Sequence, residues 1–412
     1  MQYVIIGNGV AGTHAAESIR SLDPHGVITL IAAEEDAPYC RPMISMLLEG
    51  SAAAAQLPIR GPDFYDALKI DAVIGERVRA IDVAARTVTT DAGRRFAFER
   101  LLIASGADPR PIKARGLHLE NLFFMRTAAQ VRAMLRALPA CRRALVLGCG
   151  LVGFKAAYAL MRRGLAVTLL IRSGHPLSMQ VDPQAGAMIL ASLQEQGLTV
   201  RVQAEVTAFE GQTTVRCAHL SDGSTVPCDL VVIGKGVLPA LDFVPREAIA
   251  VDLGVLVDQY LETSAAGIFA AGDAAEAHDI ARKTRWVNAI WPEAVTQGRL
   301  AGMNMAGRPT PYRGSLGRNV IRIFDLDVMS GGLVNPPPDA RYTVLQHHDP
   351  GRRRYRKLVF RYDRLVGMVL VNAIEQGGVL LSLIQGEIPI RMRREALMAP
   401  TFNFRQLLPA TA

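Results

Sequence analysis

The sequence predicts an α/β protein with two Rossmann-like dinucleotide-binding domains, followed by an α+β C-terminal interface domain. An apolar strand, a G-x-G-x-x-G turn and a helix follow one another at the start of the chain, and the same order recurs near its middle. Each such unit is typical of dinucleotide-binding α/β domains. From about residue 313, short segments of alternating apolar and polar residues predict an antiparallel sheet with a helix.

The composition permits this division into domains. The chain has 412 residues, 50% of them hydrophobic, and a net charge of +8. The positive excess favours anionic ligands or an acidic partner, although solubility alone also explains it. No apolar run approaches the ~20 residues that cross a bilayer, and the N-terminus lacks the pattern of a signal peptide. We therefore expect a cytoplasmic protein.

The first dinucleotide unit opens the chain. Residues 3–6 predict an apolar strand, residues 11–22 a helix, and the segment up to Glu34 a second strand. The glycines of the turn bring backbone N–H groups and a helix N-terminus close to a pyrophosphate. Glu34 stands at about the spacing of a ribose-binding carboxylate. A solvated carboxylate, or Glu35 in its place, is the alternative.

The second unit has the same parts. Residues 143–150 predict a strand that ends in the glycine turn, residues 151–164 a helix, and residues 165–174 the returning strand. A lone glycine turn is a weak signal, but two correctly flanked copies predict two bound dinucleotides. In one enzyme these are usually a flavin and a nicotinamide coenzyme, which together carry out hydride chemistry.

The remaining segments complete the two domains. Residues 100–106 and 230–239 predict apolar strands, and a further strand ends at Asp273. A helix is predicted to begin near Trp291, with Pro292 at its first position. "NPPPDA" predicts a loop within the C-terminal domain.

Five further segments point to a family. "PYCRPMIS", "LLIASGA", "VVIGKGVLP", "IFAAGDAA" and "WPEAVTQG" occur in this order. With the two glycine turns they resemble the motifs of the two-dinucleotide-binding-domain flavoproteins. This pyridine nucleotide-disulfide oxidoreductase superfamily includes ferredoxin, rubredoxin and nitrite reductases. The resemblance covers about residues 1–310. More narrowly, "PYCRPMISMLLEG" with Lys155 resembles the flavoprotein subunits of 2-oxoacid oxidoreductases of the phenylglyoxylate dehydrogenase type.

The resemblance implies a glutathione-reductase-like domain order. Residues 1–115 and 243–312 would form a discontinuous FAD-binding domain, and residues 116–242 an inserted NAD(P)-binding domain. Residues 313–412 would form the C-terminal interface or dimerisation domain. A hydride would pass between NAD(H) or NADP(H) and FAD, and electrons would pass between FAD and an iron–sulfur protein or subunit. No metal site is implied.

The implied binding residues stand at the motif positions of this sequence. Those for FAD are Gly7, Gly9, Val10, Ala11, Gly12, Glu34, Arg41, Pro42, Val78, Ala104, Ser105, Gly106, Gly272, Asp273 and Ala294. Those for NAD(P) are Gly148, Gly150, Leu151, Val152, Gly153, Ile171, Arg172, Gly234 and Gly236. Lys155 and Trp291 are the implied residues of the flavin and nicotinamide environment.

Lys155 departs from the family pattern. Much of the family has a glutamate there, and ferredoxin-reductase relatives have a lysine where this chain has Met46. We hypothesise that Lys155 supplies the missing positive charge, paired with Glu49, and raises the potential of FAD by stabilising its reduced form. A lysine that merely reaches solvent is the alternative.

Cys40 invites a redox interpretation, because disulfide reductases of this family keep cysteines near the flavin. The chain has five cysteines, with no closely spaced pair and no iron–sulfur or zinc motif. In single-cysteine peroxidases and coenzyme A disulfide reductases the cysteine falls about two positions later, where Pro42 stands. We therefore expect Cys40 to pack near FAD without a redox role. A thiol-dependent oxidase, peroxidase or disulfide reductase is the alternative.

The choice of coenzyme stays open. Ile171 occupies the position where NAD-using relatives place an acid for the 2′-hydroxyl. Arg172 resembles the arginine that glutathione reductase uses for the NADP 2′-phosphate, but Ser178 stands near the place of the second arginine. The narrower resemblance favours NAD instead.

The basic segment of residues 351–364 carries seven arginine and lysine residues. We expect it to dock an acidic ferredoxin-like subunit within a hetero-oligomer, by charge complementarity; a solvated hairpin face is the alternative. Nucleic-acid binding is not expected, because no nucleic-acid-binding fold accompanies the charge. A stand-alone ferredoxin or rubredoxin reductase and a non-catalytic flavoprotein scaffold complete the functions that the sequence leaves open.

Overall fold

The computed structural model describes residues 1–407. Its helices are α1 (Val10–Leu22), α2 (Ile44–Glu49), α3 (Phe64–Ala67), α4 (Ala128–Ala137), α5 (Leu151–Arg162), α6 (Pro183–Glu195), α7 (Trp291–Met305) and α8 (Gly377–Gln385). Within the described range, no helix is long and apolar enough to cross a membrane.

The strands fall into three groups along the chain. The first group is β1 (Gln2–Ile6), β2 (Val27–Ala32), β3 (Ile70–Ile74), β4 (Val78–Asp82), β5 (Thr87–Thr90), β6 (Arg95–Ala97), β7 (Arg100–Ile103), β8 (Ala107–Pro109) and β9 (Leu122–Phe124). The second is β10 (Arg143–Leu147), β11 (Ala166–Ile171), β12 (Thr199–Val202), β13 (Val206–Gly211), β14 (Val215–Leu220), β15 (Thr225–Pro227), β16 (Leu230–Ile233) and β17 (Val237–Pro239). The third is β18 (Val255–Leu256), β19 (Ile268–Ala270), β20 (Ala275–His278), β21 (Arg285–Trp286), β22 (Arg318–Ile323), β23 (Leu326–Gly332), β24 (Tyr342–Asp349), β25 (Arg354–Arg361) and β26 (Arg364–Val371).

Two of the sheets are parallel and have five strands each. The order of the first sheet is β19-β7-β1-β2-β3, and that of the second is β12-β11-β10-β16-β9. The strands are almost continuously apolar, as expected for sheets covered on both faces. Strand β19 returns to the first sheet after the whole second sheet has been formed, so the second sheet is inserted within the first.

The C-terminal sheet is antiparallel, in the order β22-β23-β26-β25-β24, and α8 packs on it. This agrees with the predicted sheet and helix. The predicted helix near Trp291 is α7, although Pro292 is its second residue and not its first. The domain boundaries proposed above stay a prediction.

Candidate functional site

The two glycine turns have matching geometry at the starts of α1 and α5. Each helix follows a glycine N-cap, Gly9 or Gly150, and neither N-cap supplies a side-chain hydrogen bond. The first N–H groups of both helices are therefore left for an external acceptor. Partial positive charge at a helix N-terminus makes a phosphate the natural acceptor.

The last glycine of each turn serves packing. A Cβ on Gly12 would lie 1.9 Å from the carbonyl oxygen of Gly7, and a Cβ on Gly153 would lie 2.0 Å from that of Gly148. A Cβ on Gly9 or Gly150 would meet nothing within 4 Å. At each turn, therefore, the last glycine packs against the backbone of the first, while the space beside the middle glycine is open. A side chain on the middle glycine would occupy that open space. This geometry fits a dinucleotide pyrophosphate at both turns.

One cavity of about 880 Å³ runs between the two units. The predicted FAD residues that line it are Gly7, Gly9, Val10, Ala11, Glu34, Arg41, Pro42, Val78, Ala104, Ser105, Gly106, Gly272, Asp273 and Ala294. The residues predicted for NAD(P) or for the flavin and nicotinamide environment that also line the cavity are Leu151, Val152, Lys155, Gly234, Gly236 and Trp291. The cavity thus joins the first glycine turn to the start of α5.

Six predicted residues lie outside the cavity lining: Gly12, Gly148, Gly150, Gly153, Ile171 and Arg172. The glycines form the turns themselves, and Gly148 has a φ of +92°, which favours glycine. Ile171 is buried in the core of the second sheet, and Arg172 is exposed directly after β11. The side chain of Ile171 therefore offers no polar contact to a ribose, whereas Arg172 presents a positive charge directly after the strand.

A carboxylate–arginine pair flanks the first turn. Arg41 Nη2 lies 2.6 Å from Glu34 Oε1, and the hydroxyl of Tyr39 donates to Glu34 Oε2 at 2.6 Å. Arg41 Nη1 in turn donates to the Tyr39 hydroxyl oxygen at 2.8 Å. Burial raises the pKa of the Tyr39 hydroxyl and Glu34 adds to this effect, although the charge of Arg41 acts in the opposite direction. The phenol therefore stays protonated and holds Glu34 at the end of β2.

A second pair brings distant segments together, and sequence reasoning missed one of its members. Arg126 Nη2 lies 2.8 Å from Asp273 Oδ2, and Arg126 Nε donates to the carbonyl oxygen of Ala107 at 2.8 Å. Both charged residues line the cavity. Arg126 follows β9 in "FFMRTAAQ". The adjacent T-x-x-Q capping box indicates that a helix begins there, and it was the sequence signal next to Arg126.

The C-terminal sheet also contributes to the cavity wall, through Arg318, Asn319 and Val320 of β22. Arg318 Nη1 lies 2.6 Å from Glu293 Oε1 on α7, and the Tyr312 hydroxyl donates to the other oxygen of Glu293. Glu293 lies within "WPEAVTQG", but no sequence motif marked Arg318 or Tyr312. They fix the start of α7, and with it Trp291, against the C-terminal domain.

Lys155 lines the cavity from the first turns of α5. Over residues 1–407 its amine makes no hydrogen bond and no ion pair within 4 Å. The hypothesised partner, Glu49, instead lies 3.9 Å from Arg162, so the pairing of Lys155 with Glu49 is wrong. Burial lowers the pKa of Lys155, while the nearby Cys40 thiol acts in the opposite direction.

Cys40 has the surroundings of a packing residue. It is half-buried and does not line the cavity. Burial raises the pKa of its thiol, although a backbone hydrogen bond and the charge of Lys155 partly offset this. Reactive cysteines have lowered pKa values that favour the thiolate. The environment of Cys40 therefore opposes a nucleophilic role. The structure forms no disulfide, and it contains no cluster of three metal-ligating side chains among the residues it describes.

The basic segment at 351–364 is partly buried and partly paired with carboxylates, and its expected docking role stays a prediction. Arg356 and Lys357 are buried inside β25; Arg356 donates to the carbonyl oxygens of Leu397 and Ala399, and Lys357 pairs with Asp182. The other ion pairs formed by the segment are Arg352–Asp349, Arg353–Glu195, Arg353–Asp325, Arg354–Glu375 and Arg364–Asp363. Arg352, Arg354 and Arg364 nevertheless keep exposed side chains.

Comparison with known proteins finds two family models along the chain. Residues 1–298 match the pyridine nucleotide-disulphide oxidoreductase model, and residues 318–388 match the rubredoxin NAD+ reductase C-terminal domain. The chain is 30% identical over its whole length to the NADH-dependent phenylglyoxylate dehydrogenase subunit epsilon of Aromatoleum evansii, of which it covers 98%. It is 27% identical, over 96% of its length, to the assimilatory nitrate reductase electron transfer subunit of Bacillus subtilis (strain 168). It spans 51% of that protein's length.

A solved structure with the same arrangement is a chain of the covalent putidaredoxin reductase–putidaredoxin complex. The two chains superpose with a TM-score of 0.85 at 26% identity, covering 94% of each. The predicted fold class is thereby confirmed.

Proposed function

The chain belongs to the pyridine nucleotide-disulphide oxidoreductase family, and we propose that it moves electrons between a nicotinamide coenzyme and an iron–sulfur protein or subunit. Family membership confirms the predicted FAD and NAD(P)H cofactors and the predicted class, an FAD-dependent NAD(P)H oxidoreductase. Such a flavin exchanges a hydride with the coenzyme and single electrons with a metal centre, which is the chemistry that the cofactor supplies.

The first glycine turn and its neighbours would hold FAD. The N–H groups at the start of α1 are suited to its pyrophosphate, with Arg41 as an additional cation. Glu34, held in place by Tyr39, is suited to a ribose hydroxyl. Asp273, fixed by Arg126, lies in the same wall of the cavity and would accept hydrogen bonds from the sugar-like chain of the cofactor.

The second glycine turn would hold the nicotinamide coenzyme at the start of α5. Gly234 and Gly236 line the cavity; Gly234 packs against the backbone of Gly153, whereas the open space at Gly236 would admit a flat ring. Trp291 and Pro292 restrict the cavity from the α7 side and would exclude water from the reacting groups.

The observation that carries this proposal is the continuous cavity from the first glycine turn to the start of α5, directly after the second turn. Hydride transfer requires the reacting atoms to approach to about 3–3.5 Å, so the two ligands must share one space. A non-catalytic scaffold would need no such continuity. The half-buried Cys40, with its raised pKa, argues against the thiol-dependent alternative.

We place the protein more narrowly as the NAD(P)-reducing flavoprotein subunit of a phenylglyoxylate-type 2-oxoacid oxidoreductase. The match to the epsilon subunit extends over both chains almost completely, which supports this placement. A stand-alone ferredoxin or rubredoxin reductase is the second candidate, favoured by the C-terminal match to rubredoxin NAD+ reductases.

Purification from the native host separates these functions. A subunit should co-purify with iron–sulfur and 2-oxoacid-oxidising chains, whereas a stand-alone reductase should elute without them and reduce a ferredoxin or rubredoxin. In both cases anaerobic NADH or NADPH should bleach the flavin absorbance. A flavin that neither coenzyme bleaches would overturn the enzymatic proposal.

A further inference from the structure

We propose that the C-terminal domain positions the coenzyme-binding glycine turn, through a latch on the loop of residues 172–182. The latch consists of Asp182, Tyr355 and Lys357, together with Asn335. The proposal rests on the proposed function in one respect: the turn at Gly148–Gly150 is taken as the site of the nicotinamide coenzyme.

The latch joins two domains through buried polar groups. Asp182 is the N-cap of α6, and its Oδ1 accepts from the backbone N–H of Ala185 at 3.3 Å. Its Oδ2 accepts from the Tyr355 hydroxyl at 2.6 Å and lies 3.2 Å from Lys357 Nζ. Asp182, Tyr355 and Lys357 are 4%, 1% and 7% exposed. A buried carboxylate requires partners for both oxygens, and here all of them are present.

Two further contacts continue from the latch to the coenzyme turn. The Asn335 amide donates to the carbonyl oxygens of Val181 at 3.2 Å and Ser178 at 3.4 Å. Within the loop, the N–H of Val181 donates to the carbonyl oxygen of Leu177 at 2.9 Å, and the N–H of Leu177 donates to that of Cys149 at 2.8 Å. Cys149 is the middle residue of the Gly148–Gly150 turn. The hydrogen bonds therefore run without a gap from the C-terminal domain to this turn.

Leu177 shows that the loop is held in a specific conformation. Its φ is +53°, in the left-handed region that a leucine rarely adopts, and its side chain is 2% exposed. Such a conformation persists only where the surroundings fix it. The buried side chain on one side and the latch on the other provide that restraint.

The far end of α6 is held by the same domain. Arg353 Nη1 lies 3.0 Å from Glu195 Oε2 and 2.9 Å from Asp325 Oδ2, and Ser192 Oγ donates to Asp325 Oδ1 at 2.9 Å. The C-terminal domain thus contacts α6 at both its N-terminal and its C-terminal end. These groups are positioning residues, because none of them lines the cavity.

The test separates positioning from general stability. Tyr355→Phe removes one hydrogen bond to Asp182, and Asn335→Ala removes the two bonds from an exposed side chain. We expect each variant to raise KM for the coenzyme about three- to tenfold and to leave kcat within about twofold. Arg354→Met is the matched control, because Arg354 pairs with Glu375 of its own domain and not with the latch.

Hydrogen–deuterium exchange gives a second readout that needs no coenzyme. Peptides covering residues 172–182 and 148–151 should exchange faster in Tyr355→Phe and Asn335→Ala than in the wild type and the control. Unchanged exchange and unchanged KM in both variants would overturn the latch. If neither coenzyme binds the wild type but exchange still accelerates, the latch stands as a structural coupling and the proposed coenzyme site fails.

Discussion

Lys155 places a positive charge in the cavity wall, and no carboxylate of residues 1–407 forms an ion pair with it. Arg41 and Arg126, by contrast, are each held by a carboxylate at 2.6 Å and 2.8 Å. An unpaired charge in a partly buried site acts through a lower effective dielectric constant than one in water. At the scale of single residues, Lys155 is therefore the group best placed to change the electrostatics of the shared cavity.

We expect Lys155→Glu to lower the midpoint potential of the bound flavin. A cation favours the reduced, more negative cofactor, and a carboxylate disfavours it. Each tenfold change in the relative stability of the two redox states corresponds to about 30 mV for a two-electron couple, and we expect a decrease of at least that size. Potentiometric titration against dyes of known potential measures it.

Arg162→Gln is the control for this prediction. Arg162 lies on the same helix but is exposed and does not line the cavity. Its substitution should leave the potential unchanged. Equal potentials for the wild type and Lys155→Glu would mean that the lysine only reaches solvent.

Arg172 tests the choice of coenzyme. It is the exposed cation directly after β11, and the neighbouring Ile171 offers no carboxylate that would repel a 2′-phosphate. If Arg172 binds that phosphate, Arg172→Ala should lower kcat/KM for NADPH about tenfold. The value for NADH should change little, and it is the internal control. A parallel loss with both coenzymes would exclude a specific phosphate contact.

At the scale of elements, Asp229 connects the two central strands of the second sheet. It directly precedes β16, and its Oδ2 accepts from the backbone N–H groups of Arg142 and Arg143, each at 3.0 Å. Arg143 Nη2 donates to Oδ1 at 2.9 Å. The hydrogen bond from Arg143 is the largest of the effects that lower the pKa of Asp229. The carboxylate therefore stabilises the pairing of β10 with β16 in its ionised form.

Asp229→Asn should reduce the free energy of unfolding by about 1–2 kcal/mol at neutral pH, because the charged acceptor is lost. Since the folded-state pKa is lowered, the wild-type advantage is fully present above the unfolded pKa of about 3.9. It decreases as the pH falls through the folded-state pKa. Urea unfolding at pH 7 and at a pH well below about 3.9 checks this. A difference between wild type and variant that grows on acidification would contradict the assignment.

The sequence predicted those elements whose signals are local. Each strand–turn–helix unit lies within about 30 residues, and the residue types of its turns are dictated by close backbone approaches at Gly12 and Gly153. Arg126 could not be found in this way, because its partner Asp273 is distant in sequence. Lys357 was misinterpreted for a related reason: only the packing of β25 against α6 shows that its charge is buried and paired.

At the scale of the whole molecule, three sheets surround one cavity, and each contributes to its wall. The first sheet brings Glu34 and Asp273, the helix that follows β10 brings Lys155, and the C-terminal sheet brings Arg318. The C-terminal domain is therefore part of the candidate site as well as a possible surface for partners. Because Arg356 and Lys357 of the basic segment 351–364 are buried, the charge of the whole chain contributes to the attraction of an acidic partner beside the exposed arginines of that segment.

That net charge of +8 makes the approach of an acidic acceptor dependent on salt. Electrostatic steering raises association rates by about tenfold or more at low ionic strength and fades once charges lie farther apart than the screening length. We expect kcat/KM for an acidic ferredoxin to fall about tenfold between low and high salt, while turnover of a neutral quinone stays constant.

The double variant Arg352→Gln with Arg354→Gln should show the same salt dependence as the wild type, since both arginines already face carboxylates. A ferredoxin rate independent of salt would show that steering plays no part. A lower kcat/KM for ferredoxin in the double variant, with unchanged quinone turnover, would indicate that the partner docks on the 351–364 segment.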